Sequence, residues 1–209
     1  MEIPKPNGKT RPLGIPSMWD RIAQQCILQV LEPICEANFY KYSYGFRPTK
    51  SAENAISACN GPINNNKMQY VVDIDIKGFF DEVKHSKLMR QIWAMGIRDK
   101  QLLVIIRKML KAPIVLPNGE IVHPTKGTPQ GGILSPLLAN IALNEFDWWI
   151  ANQWESKKCR TLKDYLNKKT GWYSRQYRYQ QLRKTSTLKE MYIVRYADDF
   201  KIFTTTRLD

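Results

Sequence analysis

Two apolar segments that carry aspartates constrain the fold of this chain more than any other feature of its sequence. Residues 69–76, QYVVDIDI, predict a strand on which Asp73 and Asp75 share one face. Residues 191–206, MYIVRYADDFKIFTTT, predict two strands joined by a turn, with Asp198 and Asp199 at the tip of the hairpin. Carboxylates on such apolar strands need a physical explanation.

Several carboxylates on a rigid sheet suit two-metal phosphoryl transfer, in which two cations lie about 3.5–4 Å apart. Oxygen ligands favour Mg²⁺, and the four cysteines show neither the CxxC spacing nor the neighbouring histidines of a zinc site. Each acid also has an ordinary interpretation. Asp73 could satisfy a basic partner, and an Asp-Asp pair at a hairpin tip is common turn chemistry.

Composition restricts the partner and the compartment. The 209 residues are 43% hydrophobic and 24% charged, as in an ordinary packed domain. Because 32 Lys and Arg oppose 19 Asp and Glu, the net charge is +13, which favours polyanions and above all nucleic acid. The sequence has no run of 18 apolar residues and no signal-peptide pattern, so we expect a cytoplasmic protein without membrane spans.

The rest of the chain alternates helices with turns, which together with the strands predicts an α+β fold. Three serines are predicted to be helix N-caps: Ser17, Ser51 and Ser135. The first of these helices should be interrupted near Pro33. Two further helices are predicted over residues 86–95 and 99–111, and a basic hairpin or loop over residues 1–16.

Five blocks of sequence occur in a diagnostic order between residues 3 and 200. They read IPKPNGKTRPLGIP, SYGFRP, VVDIDIKGFFDEV, GTPQGGILSPLLANIALNEFD and VRYADDF. In these blocks the chain resembles group II intron reverse transcriptases, the intron-encoded maturase family. The resemblance implies a fingers and palm fragment of a right-hand polymerase, with an antiparallel palm sheet packed on helices and no thumb. The fingers would span residues 1–69 and the palm 70–209, with part of 84–134 contributing to the fingers and 151–190 forming a basic insertion.

The resemblance also implies the catalytic groups. Asp75, Asp198 and Asp199 would be the catalytic residues and the ligands of two Mg²⁺ ions. Asp75 is preferred to Asp73 because it begins the family's Asp-Ile-Lys-Gly pattern, which an aromatic pair follows.

Five residues are implied to bind the incoming nucleotide: Lys5, Arg11, Phe80, Gln130 and Gly131. The two cations would bind the triphosphate. The aromatic ring would exclude ribonucleotides by a clash at the sugar 2′ position, a role for which the neighbouring Phe79 is the alternative. The ordinary interpretation is that both phenylalanines belong to the core.

Two regions are candidates for nucleic-acid contacts. The first is Arg47 in SYGFRP, a block for which a packing role is an equal alternative. The second is the segment 151–195, with 12 basic residues, 3 acidic ones and seven aromatics, a mixture that suits phosphate pairing and base stacking with RNA. Its candidates are Arg175, Arg178, Arg183 and Lys184, and its ordinary interpretation is a solvated insertion.

The function implied by the resemblance is that of an RNA-directed DNA polymerase of a mobile group II intron. Its partners would be dNTPs, an RNA template with a DNA primer, and the intron RNA bound during splicing and retrohoming. One alternative is a non-catalytic RNA-binding splicing cofactor, and another is a reverse transcriptase of the retron or diversity-generating type. A fragment without a thumb could be inactive, could expose apolar surface that favours a homodimer, and would reside in the bacterial cytoplasm.

Overall fold

The computed structural model describes residues 2–4, 10–12, 14–65, 68–116, 118–129, 131–157, 169, 171 and 175–205, with the backbone alone for 2–4, 10–12, 65 and 175–177. The helices are α1 (Met18–Glu36), α2 (Ala52–Asn60), α3 (Phe79–Glu82), α4 (His85–Ala94), α5 (Lys100–Leu110), α6 (Ser135–Gln153) and α7 (Arg175–Thr185), and a π-helical turn spans Gly61–Asn65. The strands are β1 (Glu2–Pro4), β2 (Thr10–Pro12), β3 (Tyr70–Asp75), β4 (Ile114–Val115), β5 (Ile121–Val122), β6 (Met191–Tyr196) and β7 (Asp199–Thr204).

A three-stranded antiparallel sheet with the order β3-β7-β6 presents the aspartates. The register places Asp75 opposite Asp199 and Asp73 opposite Lys201. Because side chains alternate between the two faces of a sheet, these four residues lie on the same face. The predicted strands, the hairpin and the shared face of the two β3 aspartates are therefore confirmed.

Helix α6 covers the other face of the sheet. Ile150 and Ala151 of the helix are buried against Ile193, Phe200 and Ile202 of β6 and β7. The opposite side of α6 joins α1, α4 and α5 in a larger apolar cluster, to which each helix contributes fully buried side chains: Leu31, Leu88, Ile92, Ile106 and Ile141. Since α6 lies between the sheet and the other helices, it is apolar around most of its surface, as a buried helix must be.

The first residues of α1, α2 and α6 show which of the three serines predicted to be N-caps have that role. Ser17 and Ser51 accept hydrogen bonds from backbone N–H groups in the first turns of α1 and α2, so both N-caps are confirmed. The prediction for Ser135 is wrong: Leu134 occupies the N-cap position, and the Ser135 hydroxyl donates to the Pro129 carbonyl at 2.7 Å. The predicted interruption of α1 is also wrong, because Pro33 lies inside a helix that continues to Glu36.

Two antiparallel strand pairs complete the fold. Of the hairpin and the loop predicted for the N-terminus, the antiparallel β1–β2 pair shows the hairpin, and β4–β5 forms a second hairpin. None of the helices in the described ranges is both long and apolar enough to cross a membrane. The mixture of helices with an antiparallel sheet confirms the α+β class.

Candidate active site

Two aspartates lie at one end of the polar face of the sheet, and a third lies in the adjoining turn. Asp75 is the last residue of β3 and stands opposite Asp199, the first residue of β7. Asp198 precedes it in the turn and is half-buried, whereas the other two are exposed. Partial desolvation and the negative charges of Asp198 and Asp75 raise the pKa of Asp199, while Lys201 opposes the shift. The carboxylates therefore repel one another, and a bound cation would relieve that repulsion.

Asp73 differs from Asp75 although both lie on the same face of β3. Its carboxylate lies 2.8 Å from the Lys201 ammonium, directly across the sheet. The charge of Asp73 is therefore compensated within the sheet, whereas Asp75 contributes more strongly to the field at Asp199. This difference gives a physical reason to prefer Asp75 as the metal ligand.

The three carboxylates do not form a preformed metal site. Within the described ranges, no group of three or more Asp, Glu, His or Cys side chains is placed so that it could hold a metal ion. Mg²⁺ commonly keeps several water ligands and takes only one or two protein carboxylates, together with substrate phosphates. An open set of oxygen donors on rigid strands fits that ion better than a closed protein cage would.

The SYGF segment forms one wall of the site by extending the sheet beyond β6. Tyr44 N–H donates to the Arg195 carbonyl at 2.9 Å, and Arg195 N–H donates to the Tyr42 carbonyl at 3.0 Å. The next residue, Gly45, lies directly against the turn, since a Cβ at this position would be 2.2 Å from the Ala197 nitrogen. Glycine is the residue that permits so close an approach of two backbones.

The aromatic pair after β3 lies in a helix. Gly78 adopts a left-handed conformation (φ 62°), and α3 begins directly after it, so both phenylalanines are helical and not strand residues. Phe79 packs against the helical cluster. Phe80 is half-buried, and its ring meets that of Phe46 edge to face with 6.2 Å between centroids. Phe79 is half-buried as well, and the two rings meet edge to face with 5.8 Å between centroids. The contact with the helical cluster favours a packing role for Phe79.

The GTPQGG loop is fixed on α3 through its backbone. Thr128 N–H donates to the Phe80 carbonyl at 2.7 Å, and Gly127 N–H donates to the Val83 carbonyl at 2.8 Å. Gly127 has a φ of +86°, and a Cβ there would lie 3.0 Å from a backbone oxygen of α3. Gly131 is exposed, with a φ of 94°, so its surface is open to a ligand.

Three predicted nucleotide contacts have no described side chain. Lys5 and Gln130 lie outside the described residues, and Arg11 is described only through the backbone of β2. Their predicted roles therefore stay predictions.

The whole chain but its first two residues matches one protein family. Residues 3–209 match the family described as "Reverse transcriptase (RNA-dependent DNA polymerase)". The chain belongs to the reverse transcriptase family. Enzymes of this family generally use divalent metal ions, in agreement with the oxygen-donor chemistry of the site.

Curated relatives indicate the group of reverse transcriptases to which the chain is similar. This reverse transcriptase chain is 39% identical over 168 residues to protein YkfC of Escherichia coli K12, covering 79% of the chain and 44% of YkfC. It is 41% identical over 151 residues to the group II intron-encoded protein LtrA of Lactococcus lactis, covering 72% of the chain and 24% of LtrA. These matches confirm the identification as a group II intron reverse transcriptase/maturase fragment. The chain spans less than half the length of either relative.

Solved structures confirm the fold. Telomerase from Candida tropicalis in complex with the TWJ fragment of telomeric RNA aligns with a TM-score of 0.57 and 14% identity, over 99% of this chain and 35% of that one. The apo telomerase from the same organism, truncated from its C-terminal domain, gives a TM-score of 0.54 and 14% identity, over 90% and 36%. At this identity the likeness shows the fold alone, and it supports the right-hand polymerase architecture of fingers and palm.

Arg47 in this reverse transcriptase has a structural environment. Its side chain is buried, and two of its nitrogens donate to the Glu36 carboxylate, the closer at 2.7 Å. A third nitrogen donates to the Tyr40 and Ser43 carbonyls, each at 2.8 Å. Because these bonds fix the shape of the SYGF segment from within, the placement opposes direct nucleic-acid contact and favours the packing alternative.

Some of the basic side chains in residues 151–195 bond to other residues of the chain. Arg183 forms a 2.7 Å ion pair with Glu190. Arg178 donates to the Glu155 carbonyl and lies 4.8 Å from the Tyr179 ring centre. Lys184 is exposed. The backbone of Arg175 begins α7, while residues 158–168 and 172–174, which hold much of the predicted RNA-binding composition, lie outside the described residues.

Sequence reasoning missed a buried polar group beneath the YADD turn. Arg195 is buried inside β6, and Asp147 and Asn140 are buried on α6. A signal was present, because Asn140, Asn144 and Asp147 follow the i, i+4, i+7 spacing of one face of an otherwise apolar helix. A polar stripe on a buried helix indicates a buried polar partner, which this sheet supplies.

Proposed function

We propose that this chain carries the fingers (residues 1–69) and the palm (residues 70–209) of an RNA-directed DNA polymerase encoded by a mobile group II intron. The observation that carries the proposal is the strand register that sets Asp75 opposite Asp199, the residue that directly follows Asp198 in the turn. Family membership supplies the reaction class, and the geometry supplies a rigid, open, negatively charged site on which it can occur.

The palm aspartates would act as ligands for two Mg²⁺ ions. When bound, Mg²⁺ supplies activation of the primer 3′-hydroxyl and charge stabilisation of the leaving pyrophosphate. Asp75 and Asp199 hold their carboxylates on adjacent strands, so their separation is fixed by the hydrogen-bonded register and not by a mobile loop. Such positioning on rigid elements is the main contribution of a protein to this reaction.

The nucleotide would lie between the aspartates and α3. Phe80, supported edge-on by Phe46, offers an aromatic surface that suits exclusion of a 2′-hydroxyl. Gly131 is open to the nucleotide, and we retain Lys5, Arg11 and Gln130 as predicted contacts of the triphosphate and base.

RNA binding is the second part of the proposal. The net charge of +13 supports a polyanionic partner, which would be the RNA template with its DNA primer during synthesis and the intron RNA during splicing and retrohoming. Lys184 is a predicted RNA contact whose described side chain is exposed. A homodimer stays a prediction of the sequence, which light scattering would test.

The decisive experiment is primer extension on an RNA template with Mg²⁺ and dNTPs. The chain is compared with an Asp198→Ala, Asp199→Ala double variant and with Asp73→Ala as the matched control, because Asp73 lies on the same face but pairs with Lys201. We expect the double variant to lose extension and the control to keep it. Extension that survives in the double variant would refute the assignment.

Filter binding of structured RNA in the same preparations separates the splicing-cofactor alternative. A chain that binds RNA equally with and without the aspartates, yet never extends a primer, would act as a cofactor for RNA structure and not as a polymerase by itself.

A further inference from the structure

We propose that Arg195 is a positioning residue of the active site, which fixes from inside the palm the turn that presents the two adjacent aspartates. It does so as part of a group that we name the Arg195 clamp, formed by Arg195, Asp147 and Asn140. The inference rests on the proposed role of Asp198 and Asp199 as metal ligands and adds the element that sets their geometry.

The clamp is a buried and fully directed set of hydrogen bonds. Arg195 is 1% exposed and Asp147 is 0% exposed. The Arg195 Nε and Nη2 atoms donate to the Asp147 carboxylate at 2.9 and 2.7 Å, a bidentate arrangement. The remaining nitrogen, Nη1, donates to the Asn140 side-chain oxygen at 3.0 Å and to the Ala197 carbonyl at 2.7 Å. One guanidinium thus connects α6 to the turn itself.

The bond to Ala197 acts on the residue that decides the shape of the turn. Ala197 has a φ of 57°, in the left-handed region that is unfavourable for a residue with a side chain. The hydrogen bond from Arg195 favours this unfavourable conformation because it fixes the direction of the Ala197 carbonyl. The next two residues are Asp198 and Asp199, so the same bond fixes the backbone position from which their side chains extend.

A second arm of the clamp reaches the wall of the site. The Asn140 side-chain nitrogen donates to the Gly45 carbonyl at 2.8 Å. Gly45 lies against the Ala197 backbone, and the Arg195 backbone bonds to both Tyr42 and Tyr44. The turn is therefore held between the SYGF segment on one side and the guanidinium on the other.

A contribution to stability alone does not account for this arrangement. Replacing a buried ion pair by apolar side chains of similar volume is often neutral or stabilising. A buried triad whose Nη1 donor is directed at a strained turn is better explained by the geometry that it imposes, which is the property a metal site requires.

The test uses Arg195→Lys in the full 209-residue chain. Lysine keeps a positive charge beside Asp147 but lacks the planar fork that reaches Asp147 and the Ala197 carbonyl together. The control is Ile106→Ala, which removes a fully buried side chain from the helical cluster and lowers stability without touching the turn. Asn140→Ala is the second variant, because it removes the arm to Gly45 and leaves the ion pair in place.

Two quantities are measured: Mn²⁺ affinity, by titration calorimetry on the metal-free chain, and hydrogen exchange of the peptide spanning residues 196–200. We expect Arg195→Lys to weaken Mn²⁺ binding by about 10- to 100-fold and to accelerate exchange in that peptide. Asn140→Ala should change both in the same direction by less, and Ile106→Ala should change neither after correction for its lower melting temperature.

Unchanged Mn²⁺ affinity and unchanged exchange in Arg195→Lys would overturn the clamp, and so would equal losses in Arg195→Lys and Ile106→Ala. Failure of the proposed function would give a result that can be told apart from failure of the clamp. If the unaltered chain bound no Mn²⁺ at all, the metal site would be refuted, while the exchange measurement would still decide whether Arg195 holds the turn.

Discussion

Replacing Gly45 by alanine should displace the candidate catalytic turn by a distance that the structure defines. The new Cβ would lie 2.2 Å from the Ala197 nitrogen and 2.8 Å from its Cα, whereas ordinary contacts begin near 3.4 Å. The two backbones must therefore separate by about 1.2 Å to restore ordinary contact. Because the neighbouring atoms belong to the backbone, no rotamer change can relieve the clash.

The expected cost follows from that displacement. Overpacking of this kind costs about 1–3 kcal/mol, which for a chain of this size lowers Tm by about 2–12 °C. A misplacement of about 1 Å at a reacting centre can lower the rate by about 100-fold. Differential scanning fluorimetry and Mg²⁺-dependent primer extension measure the two effects.

Gly61→Ala is the matched control for this substitution. A Cβ at Gly61 would meet nothing within 4 Å, and its φ of −59° suits any residue. The control should keep its activity and its Tm, or gain slightly in stability. A Gly45→Ala chain that melts and extends primers like the unaltered protein would refute the close packing of the SYGF segment on the turn.

Three further results are expected. Asp199→Asn should raise Tm in metal-free buffer at neutral pH, because the pKa of Asp199 is raised and the folded state loses stability as pH rises through that pKa. The gain should vanish on acidification below about 3.9, and a lower Tm at neutral pH would contradict it. Phe80→Ala should increase ribonucleotide incorporation relative to dNTPs, whereas Phe79→Ala should mainly lower Tm; identical discrimination in both variants would exclude the sugar-gate assignment. Ile106→Ala should reduce the free energy of unfolding by about 2–5 kcal/mol in urea titrations, since its side chain is fully buried, and a loss below that range would mean that the site collapses.

Elements with local signals were predictable from the sequence. Ser17 and Ser51 bond to the first turns of their own helices, so the information lies within a few residues. Ser135 looked the same locally, but its hydroxyl takes the Pro129 carbonyl of the preceding loop as its partner. The aromatic pair follows β3 after Lys77 and Gly78, and the left-handed conformation of Gly78 separates the strand from the helix there.

The aspartates of the candidate site could be predicted from the sequence, but the buried arginines that support the site could not. Asp75, Asp198 and Asp199 could be placed together because strand alternation and hairpin pairing follow simple rules. Arg47 and Arg195 could not, because their carboxylate partners are 11 and 48 positions away in the sequence. The sequence does not distinguish a buried arginine from a solvated one, because the difference arises only in the tertiary fold.

The strand order β3-β7-β6 also means that β3 is synthesised well before β7, the strand with which it pairs. Asp75 at the end of β3 precedes its partner Asp199 by 124 positions, which at about 5–20 residues per second corresponds to roughly 6–25 s on the ribosome. During that interval β3 is an apolar strand with an unpaired edge, the kind of segment that recruits other chains into aggregates. Charged side chains are a known protection of such edges, and β3 carries the exposed Asp73 and Asp75 on one face. Asp75, which the chemistry needs, and Asp73, which it does not, would thus both protect the nascent chain before the partner strand exists.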